Sequence, residues 1–366
     1  MKRADHKISF TAEWIIAAVL QVSLYCIFCG SAVGSAVKPV SDAPFREAVS
    51  LKSPPIPVLS AEHAPLFHPS SPFSAGKERE DDASPPFYTD WLPERFYQVC
   101  DKPGSVSAFS YSTAVSGQTR TRKKAQVYLP YGYDPNDPDT RYNVVFFIHG
   151  ADGAAADFTE RTLRVGGKKI RMRDIYDSMI QEGLCEPFIA VGVTYYLRGE
   201  DGLVDPGYSQ MTRELREVLV PTVVDRYKTY AADGSAEAVS AARQHFGLAG
   251  LSNGALYTLN CGILHNYDLF GNFGVFSGNN CAEKVLQSIE SQENSVYPLY
   301  CFFAGAGKKD GQEKRTLEGF DLIVDGSERC IRDRNAFYVE VDGGHDWKTW
   351  STGIYNLLLV AFCDAA

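Results

Sequence analysis

The chain has 366 residues, 45% hydrophobic and 22% charged, which supplies a sizeable core and excludes a wholly disordered protein. Thirty-six Lys and Arg against 45 Asp and Glu give a net charge of −9, which argues against binding to nucleic-acid backbones. Aromatic residues at 12% suit strands and a groove that receives a ring or sugar, and equally an ordinary core.

Lys2, Arg3 and Lys7 give a basic start, followed by a nearly uncharged run from Trp14 to Cys29 and then small residues, with Ala36 as the expected cleavage point. Residues 1–36 are therefore read as an export signal and the protein as secreted or extracytoplasmic. The alternative is an uncleaved anchor, for which an apolar run of about 16 residues is short against the usual span of about 20. Residues 37–90 hold ten of the 19 prolines, clustered at Pro54, Pro55 and Pro57 and at Pro85 and Pro86. Proline removes amide donors and fixes φ, so this stretch is expected to be a linker or tail. The folded domain is then 91–366.

Of nine cysteines, Cys26 and Cys29 fall in the signal. The other seven are an odd number, so at least one thiol stays free or pairs between chains. No C-x-x-C occurs outside the signal, and neither a metal nor an organic cofactor is implied.

Along the domain, Tyr97–Tyr128 is expected to supply antiparallel edge strands, with a strand at Ala125–Leu129. Val144–Ile148 is a continuous apolar run, the pattern of a strand buried on both faces, and it opens into His149-Gly150-Ala151-Asp152-Gly153. A helix is predicted over Arg171–Glu182, stopped by Gly183. Phe188–Val193 is the next strand. Ser209–Tyr227 is a long amphipathic helix kinked before Pro221. Further on come a strand at His245–Ala249, a helix at Asn253–Leu264, and strands at Phe273–Phe276 and Tyr297–Ala304. A helix at Glu313–Val324, a strand at Ala336–Val341 and a closing helix at Trp347–Phe362 complete the series. Strands alternating with helices predict an α/β fold with a mostly parallel, doubly wound sheet.

Gly250-Leu251-Ser252-Asn253-Gly254 is a G-x-S-x-G segment between a buried strand and an apolar helix, the context in which that motif forms a nucleophile elbow. Ser252 is the candidate nucleophile; a tight turn using a small serine is the plain alternative. A serine hydroxyl needs a base. His345, after the last strand in VDGGHDWKTW, is the candidate, since His245 and His265 lie at the wrong end of the sheet and His149 sits in a loop that must supply backbone donors. Asp310, after the YPLYCFFA strand, is the candidate acid, in the order Ser, Asp, His. Asp346 is set aside because a chain neighbour rarely reaches the required ring nitrogen. The oxyanion donors are expected to be the amide of Asn253 and that of Ala151, with Gly150 or Asp152 as alternatives.

Together QVYLPYGYDP, VVFFIHG-ADG, YDSMIQEGLCEPFIAVGV, RELREVLVPTVVDRY, GLAGLSNGA and DGGHDW resemble the feruloyl esterase/acetyl xylan esterase group related to esterase D. The resemblance spans about residues 97–362. It implies an α/β-hydrolase, often secreted, that acts on plant cell-wall esters, with Ser252, Asp310 and His345 as its triad. Asn253 stands where many relatives carry methionine, and the acid loop GAGKKDG is more basic than usual.

The expected substrate is an esterified polysaccharide such as arabinoxylan, or a small ester. Tyr195, Tyr196, Trp347 and Trp350 are expected on loops at the open end, where they could stack on a ring; internal packing is the blander role. Asn279 and Asn280 could donate hydrogen bonds to substrate, or simply cap a turn. A broad carboxylesterase, an acyltransferase and a non-catalytic binding module are the rival readings. The clusters Arg120-Arg122-Lys123-Lys124 and Lys168-Lys169-Arg171-Arg173 are read as solvated faces, with contact to acidic glycan as the alternative.

Overall fold

The structure, a computed structural model, describes residues 91–113, 120–199 and 202–363. The expected signal and linker lie outside the described residues. In chain order come β1 (Ser105–Thr113), β2 (Thr121–Leu129), β3 (Asn143–Ile148), α1 (Asp157–Glu160), β4 (Thr162–Val165), β5 (Lys168–Arg171) and α2 (Met172–Gln181). They are followed by β6 (Phe188–Val193), β7 (Leu197–Gly199), β8 (Gly202–Val204), α3 (Tyr208–Glu214), α4 (Val220–Arg226), α5 (Ala236–Ala241), β9 (Phe246–Leu251) and α6 (Asn253–Tyr257). The series closes with β10 (Asn272–Phe276), α7 (Ala282–Ile289), β11 (Cys301–Gly307), α8 (Glu313–Gly326), β12 (Ala336–Val341) and α9 (Trp347–Val360).

Eight strands form one sheet in the order β1-β2-β6-β3-β9-β10-β11-β12. β1 pairs antiparallel with β2 and β2 antiparallel with β6; the remaining pairs are parallel. The architecture is that of an α/β-hydrolase, with helices on both faces. The continuous apolar runs have a direct cause. Val144, Phe146 and Ile148 join the core on one face, while Val145 and Phe147 join the core on the other, so neither face of β3 meets water. On one side α3, α4, α6 and α7 cover the sheet; on the other α2 and α9 do.

Several boundaries shift from the sequence pattern, including the helix expected at Asn253–Leu264, which passes from α6 into a π segment at Thr258–Ile263, and two further shifts have a readable cause. The helix expected at Ser209–Tyr227 runs as α3, a wider π segment at Leu215–Leu219, then α4. Pro221 has no N–H to offer the preceding turn, and a π segment relieves its clash with that turn's carbonyl. The strand expected at Tyr297–Ala304 is instead Cys301–Gly307. A Cβ at Gly305 would lie 2.8 Å from Val339 Cγ1, so the small residues of AGAG extend the strand where β12 packs close. No disulfide joins the seven described cysteines, of which Cys261, Cys301 and Cys330 are buried. Among the described residues no helix is long and apolar enough to cross a membrane.

Lys123, in the first basic cluster, is not solvated. Its Nζ lies 2.6 Å from Glu214 Oε1, with side chains 3% and 0% exposed, and the Tyr111 hydroxyl donates to the same oxygen at 2.7 Å. Burial pulls the Lys123 ammonium below its ordinary pKa and pushes the Tyr111 phenol well up. Removing one partner leaves an uncompensated charge in the core. Glu214→Gln is therefore expected to cost about 3–5 kcal/mol in urea unfolding, whereas Lys123→Met with Glu214→Leu should cost clearly less. Equal losses would show that the pair itself holds β2 to α3.

Candidate active site

The parallel strands end in near register, and the first residue past several of them faces the same edge of the sheet. Ile148 of β3 pairs with Val193 of β6 and Gly250 of β9, and Leu251 of β9 pairs with Phe276 of β10. His149, Thr194, Ser252 and Ser277 are the next residues on their strands. Binding groups in open parallel sheets gather just beyond such carboxyl ends.

Ser252 has φ 53° and ψ −119°, a left-handed backbone that non-glycine residues rarely adopt. Its N–H donates to Phe276 O at 2.8 Å and its carbonyl accepts from Ala255 N at 3.0 Å, so neighbours on both sides hold the turn. α6 starts at once, pressed onto β3. A Cβ at Gly254 would lie 2.0 Å from Ile148 O and 2.6 Å from His149 O, and one at Gly250 would lie 2.2 Å from Gly254 O. No side chain fits at either position, which explains the two glycines of the motif.

The hydroxyl so presented meets the imidazole. Ser252 Oγ is 2.9 Å from His345 Nε2. On the far side of the ring, His345 Nδ1 lies 2.9 Å from Asp310 Oδ1 and 3.1 Å from Oδ2. A carboxylate only accepts, so Nδ1 carries the proton and Nε2 is left to accept from the serine. The Asp310 side chain is 0% exposed and that of His345 40%. Asp310 Oδ1 also accepts from Gln312 N at 2.8 Å. The loops carrying the two residues are tied together, since Lys309 N donates to Gly343 O at 2.9 Å, and the His345 loop is fixed to its own helix by Thr349 Oγ1 donating to Gly344 O at 2.6 Å. Asp346 turns away and caps α9, accepting from the amides of Lys348 and Thr349.

The expected oxyanion loop runs beside the serine: a Cβ at Gly150 would lie 3.1 Å from Ser252 Cβ. Gly150 O is held by His149 Nδ1 at 2.7 Å and by Gly153 N at 3.2 Å, in a tight turn with Asp152 at φ 59°. In a trans peptide C=O and N–H point opposite ways, so fixing the Gly150 carbonyl also fixes the direction of the Ala151 N–H. Asn253 opens α6, where first-turn amides have no partner within the helix. His149 itself is buried and held at Nε2 by Thr194 Oγ1 at 2.7 Å, an arrangement that places the proton on Nδ1. Neither His149's part in this nor Thr194 was legible from the motif; their position one residue past a buried strand is the signal that finds them.

Two expected substrate contacts, Tyr195 and Asn279, need correction. Tyr195 is 1% exposed and stacks on Tyr257 at 4.3 Å, because its ring fills the core beside the sheet rather than facing solvent. Asn279 is 4% exposed, accepts from Cys281 N at 3.3 Å and lies against Gly319 of α8, so it shapes the turn into α7. Asn280 is exposed, with its side chain toward the Tyr208 hydroxyl. Trp347 is half-buried between Phe158 at 5.8 Å and Trp350 at 5.7 Å. Trp350 stands edge-to-face with His345 at 5.1 Å and donates from its indole to Ser277 Oγ at 3.0 Å, which makes it an aromatic wall beside the His345 ring.

Burial pushes the His149 pKa below its ordinary value of 6.5. The folded state keeps the ring neutral, while the unfolded chain protonates it below about pH 6.5. Its contribution to stability is thus present above that pH and lost as pH falls toward the depressed folded value. Urea unfolding from pH 7.5 to 5.5 should show a smaller loss in His149→Asn than in the wild type; equal slopes would mean the ring protonates freely in the fold.

Comparison with known proteins gives the family. The chain is 28% identical over 226 residues to endo-1,4-beta-xylanase Y of Acetivibrio thermocellus, covering 59% of this chain and 19% of that protein. It is 25% identical over 254 residues to an endo-1,4-beta-xylanase/feruloyl esterase of Xylanibacter ruminicola, covering 68% of this chain and 30% of that one. The chain therefore spans between about a fifth and a third of these relatives' length. A serine-to-alanine mutant of the feruloyl esterase module from Clostridium thermocellum, complexed with sinapinate, shares the fold with a TM-score of 0.60 at 23% identity, over 74% of this chain and 93% of that one. Residues 116–358 match the Esterase family model, described as "Putative esterase". The chain belongs to this esterase family.

Proposed function

We propose that this domain is a serine carboxylic-ester hydrolase that releases hydroxycinnamoyl or acetyl groups from plant cell-wall polysaccharide such as arabinoxylan. The carrying observation is the unbroken hydrogen-bonded line from Ser252 Oγ through the His345 ring to the buried carboxylate of Asp310. The acyl and polymer assignments draw support from the relatives, one described as a xylanase/feruloyl esterase and one a feruloyl esterase module holding sinapinate. An extracytoplasmic location, which the basic and apolar first 36 residues favour, suits a polymeric substrate.

In the proposed cycle His345 Nε2 takes the hydroxyl proton as Ser252 Oγ attacks the ester carbonyl. The amides of Asn253 and Ala151 receive the negative charge on the carbonyl oxygen, aided by the N-terminal end of the helix. His345 then returns the proton to the leaving sugar oxygen. Water, activated by the same nitrogen, attacks the acyl-enzyme and frees the acid together with Ser252. Asp310 holds the tautomer and stabilises the charged ring throughout.

A serine-reactive organophosphonate should label Ser252, detected by peptide mass, and Ser252→Ala should abolish both labelling and ester cleavage. Asp310→Asn should lower kcat by about ten-thousand-fold, since it presents the wrong hydrogen-bonding partner to Nδ1. Release of ferulate and acetate from arabinoxylan by the wild type checks the substrate. Hydrolysis of simple aryl esters with neither acid freed from the polymer would reduce the reading to a generic esterase.

A further inference from the structure

The two basic clusters of the sequence part ways in the fold. The first is interrupted by Lys123, sealed in the core with Glu214. The second lies on the β4–β5 hairpin, where Arg164 of β4 stands directly opposite Lys169 of β5. Both side chains are exposed, on the face opposite the buried Leu163 and Ile170. Like charges in direct cross-strand register repel, so this placement works against the hairpin unless an anion is supplied. Nearby acid does not supply it. Glu160 is already shared between Arg171 at 3.1 Å and Arg173 at 2.8 Å, and Arg164, Lys168 and Lys169 form no ion pair among the described residues.

The hairpin is joined to the site. Arg161, just before β4, lies over the Trp347 ring at 5.3 Å, and Trp347 also packs on Phe158 of α1. Trp347, the first residue of α9, is two residues beyond His345. Arg164 lies three residues beyond Arg161, about 10 Å along an extended strand. In extended chain Arg161 and Arg164, an odd number of residues apart, point to opposite faces, so Arg161 covers Trp347 while the exposed Arg164–Lys169 pair forms the outer face of the same hairpin, in a chain whose net charge is −9.

We propose that the β4–β5 hairpin is a subsite for the acidic polysaccharide that carries the ester, with Arg164 and Lys169 receiving uronic-acid carboxylates on sugars flanking the cleaved group. This rests on the esterase reading and adds a substrate class to it. A carboxylate between the two cations removes their repulsion and accepts charge-assisted hydrogen bonds, with the guanidinium able to grip both oxygens. An extended polymer places such groups at repeated intervals, whereas a small free ester cannot reach from Ser252 to the hairpin.

The test has two arms, both on the full chain. First, kcat/KM is compared for feruloylated xylan oligosaccharides with and without glucuronic-acid side groups, and for methyl ferulate. The wild type should favour the acidic oligosaccharide several-fold at low salt and lose that preference at high salt. Arg164→Glu with Lys169→Glu should remove or invert the preference and leave methyl ferulate unchanged; the milder Arg164→Gln with Lys169→Gln should remove it without lowering the thermal midpoint. A preference that is absent, or that survives charge reversal, overturns the subsite while leaving the esterase intact. Second, Ser252→Ala protein is run in affinity gels containing glucuronoxylan, neutral arabinoxylan or random-sequence duplex DNA. Retardation by glucuronoxylan alone, lost in the charge-reversed protein, supports the subsite even if no ester is cleaved. Equal retardation by DNA or by the neutral polymer overturns it.

Discussion

Backbone pressed against backbone at Gly254 and Gly250 is the constraint on which the rest depends. The first turn of α6 sits so close to the carbonyls of Ile148 and His149 that a single methyl group would overlap them. That closeness leaves no room for a connecting loop, so the chain reverses within one residue, and Ser252 takes a left-handed conformation. Strain of this kind costs of order 1–3 kcal/mol and persists only where the surroundings over-determine it. Here hydrogen bonds from Ser252 N to Phe276 O and from Ala255 N to Ser252 O, together with two fully buried strands, do so.

The same compression organises everything around the serine. Strands that run parallel and stop at similar heights put His149, Thr194, Ser252 and Ser277 along one line without any loop having to find its place. Only Asp310 and His345 lie several residues past their strands, and their two loops hold each other through backbone bonds. Polar groups with fixed partners reorganise little when charge develops, which is the main source of electrostatic catalysis. Trp350, held by the Ser277 hydroxyl, covers one flank of the imidazole.

Much of this was legible in the residues because burial on both faces leaves a plain mark. Runs such as VVFFI and FIAVGV cannot be solvated strands, and glycines around a serine between such a run and a helix have few other uses. The geometry joins Ser252, His345 and Asp310, the three residues the sequence singled out, in one hydrogen-bonded line. What could not be read was direction. A tyrosine just past a strand looks the same whether its ring enters the core, as Tyr195 does, or faces solvent. Asn279 could equally have met substrate or, as found, packed on Gly319. Lys123 carries a charge that composition assigns to the surface, and only the long-range pairing of β2 with the helix at Glu214 buries it. The hairpins β4–β5 and β7–β8 escaped because strands of three or four residues lack enough alternation to register a period.

The uneven solvation of the His345–Asp310 pair carries one more consequence. The carboxylate is wholly dry, while two-fifths of the imidazole side chain touches bulk water. Protons lent and returned during turnover can therefore equilibrate with the medium at the ring itself, without a wire of ordered molecules threaded through the protein. Resetting the site then needs no internal relay, because the ring itself already faces solvent.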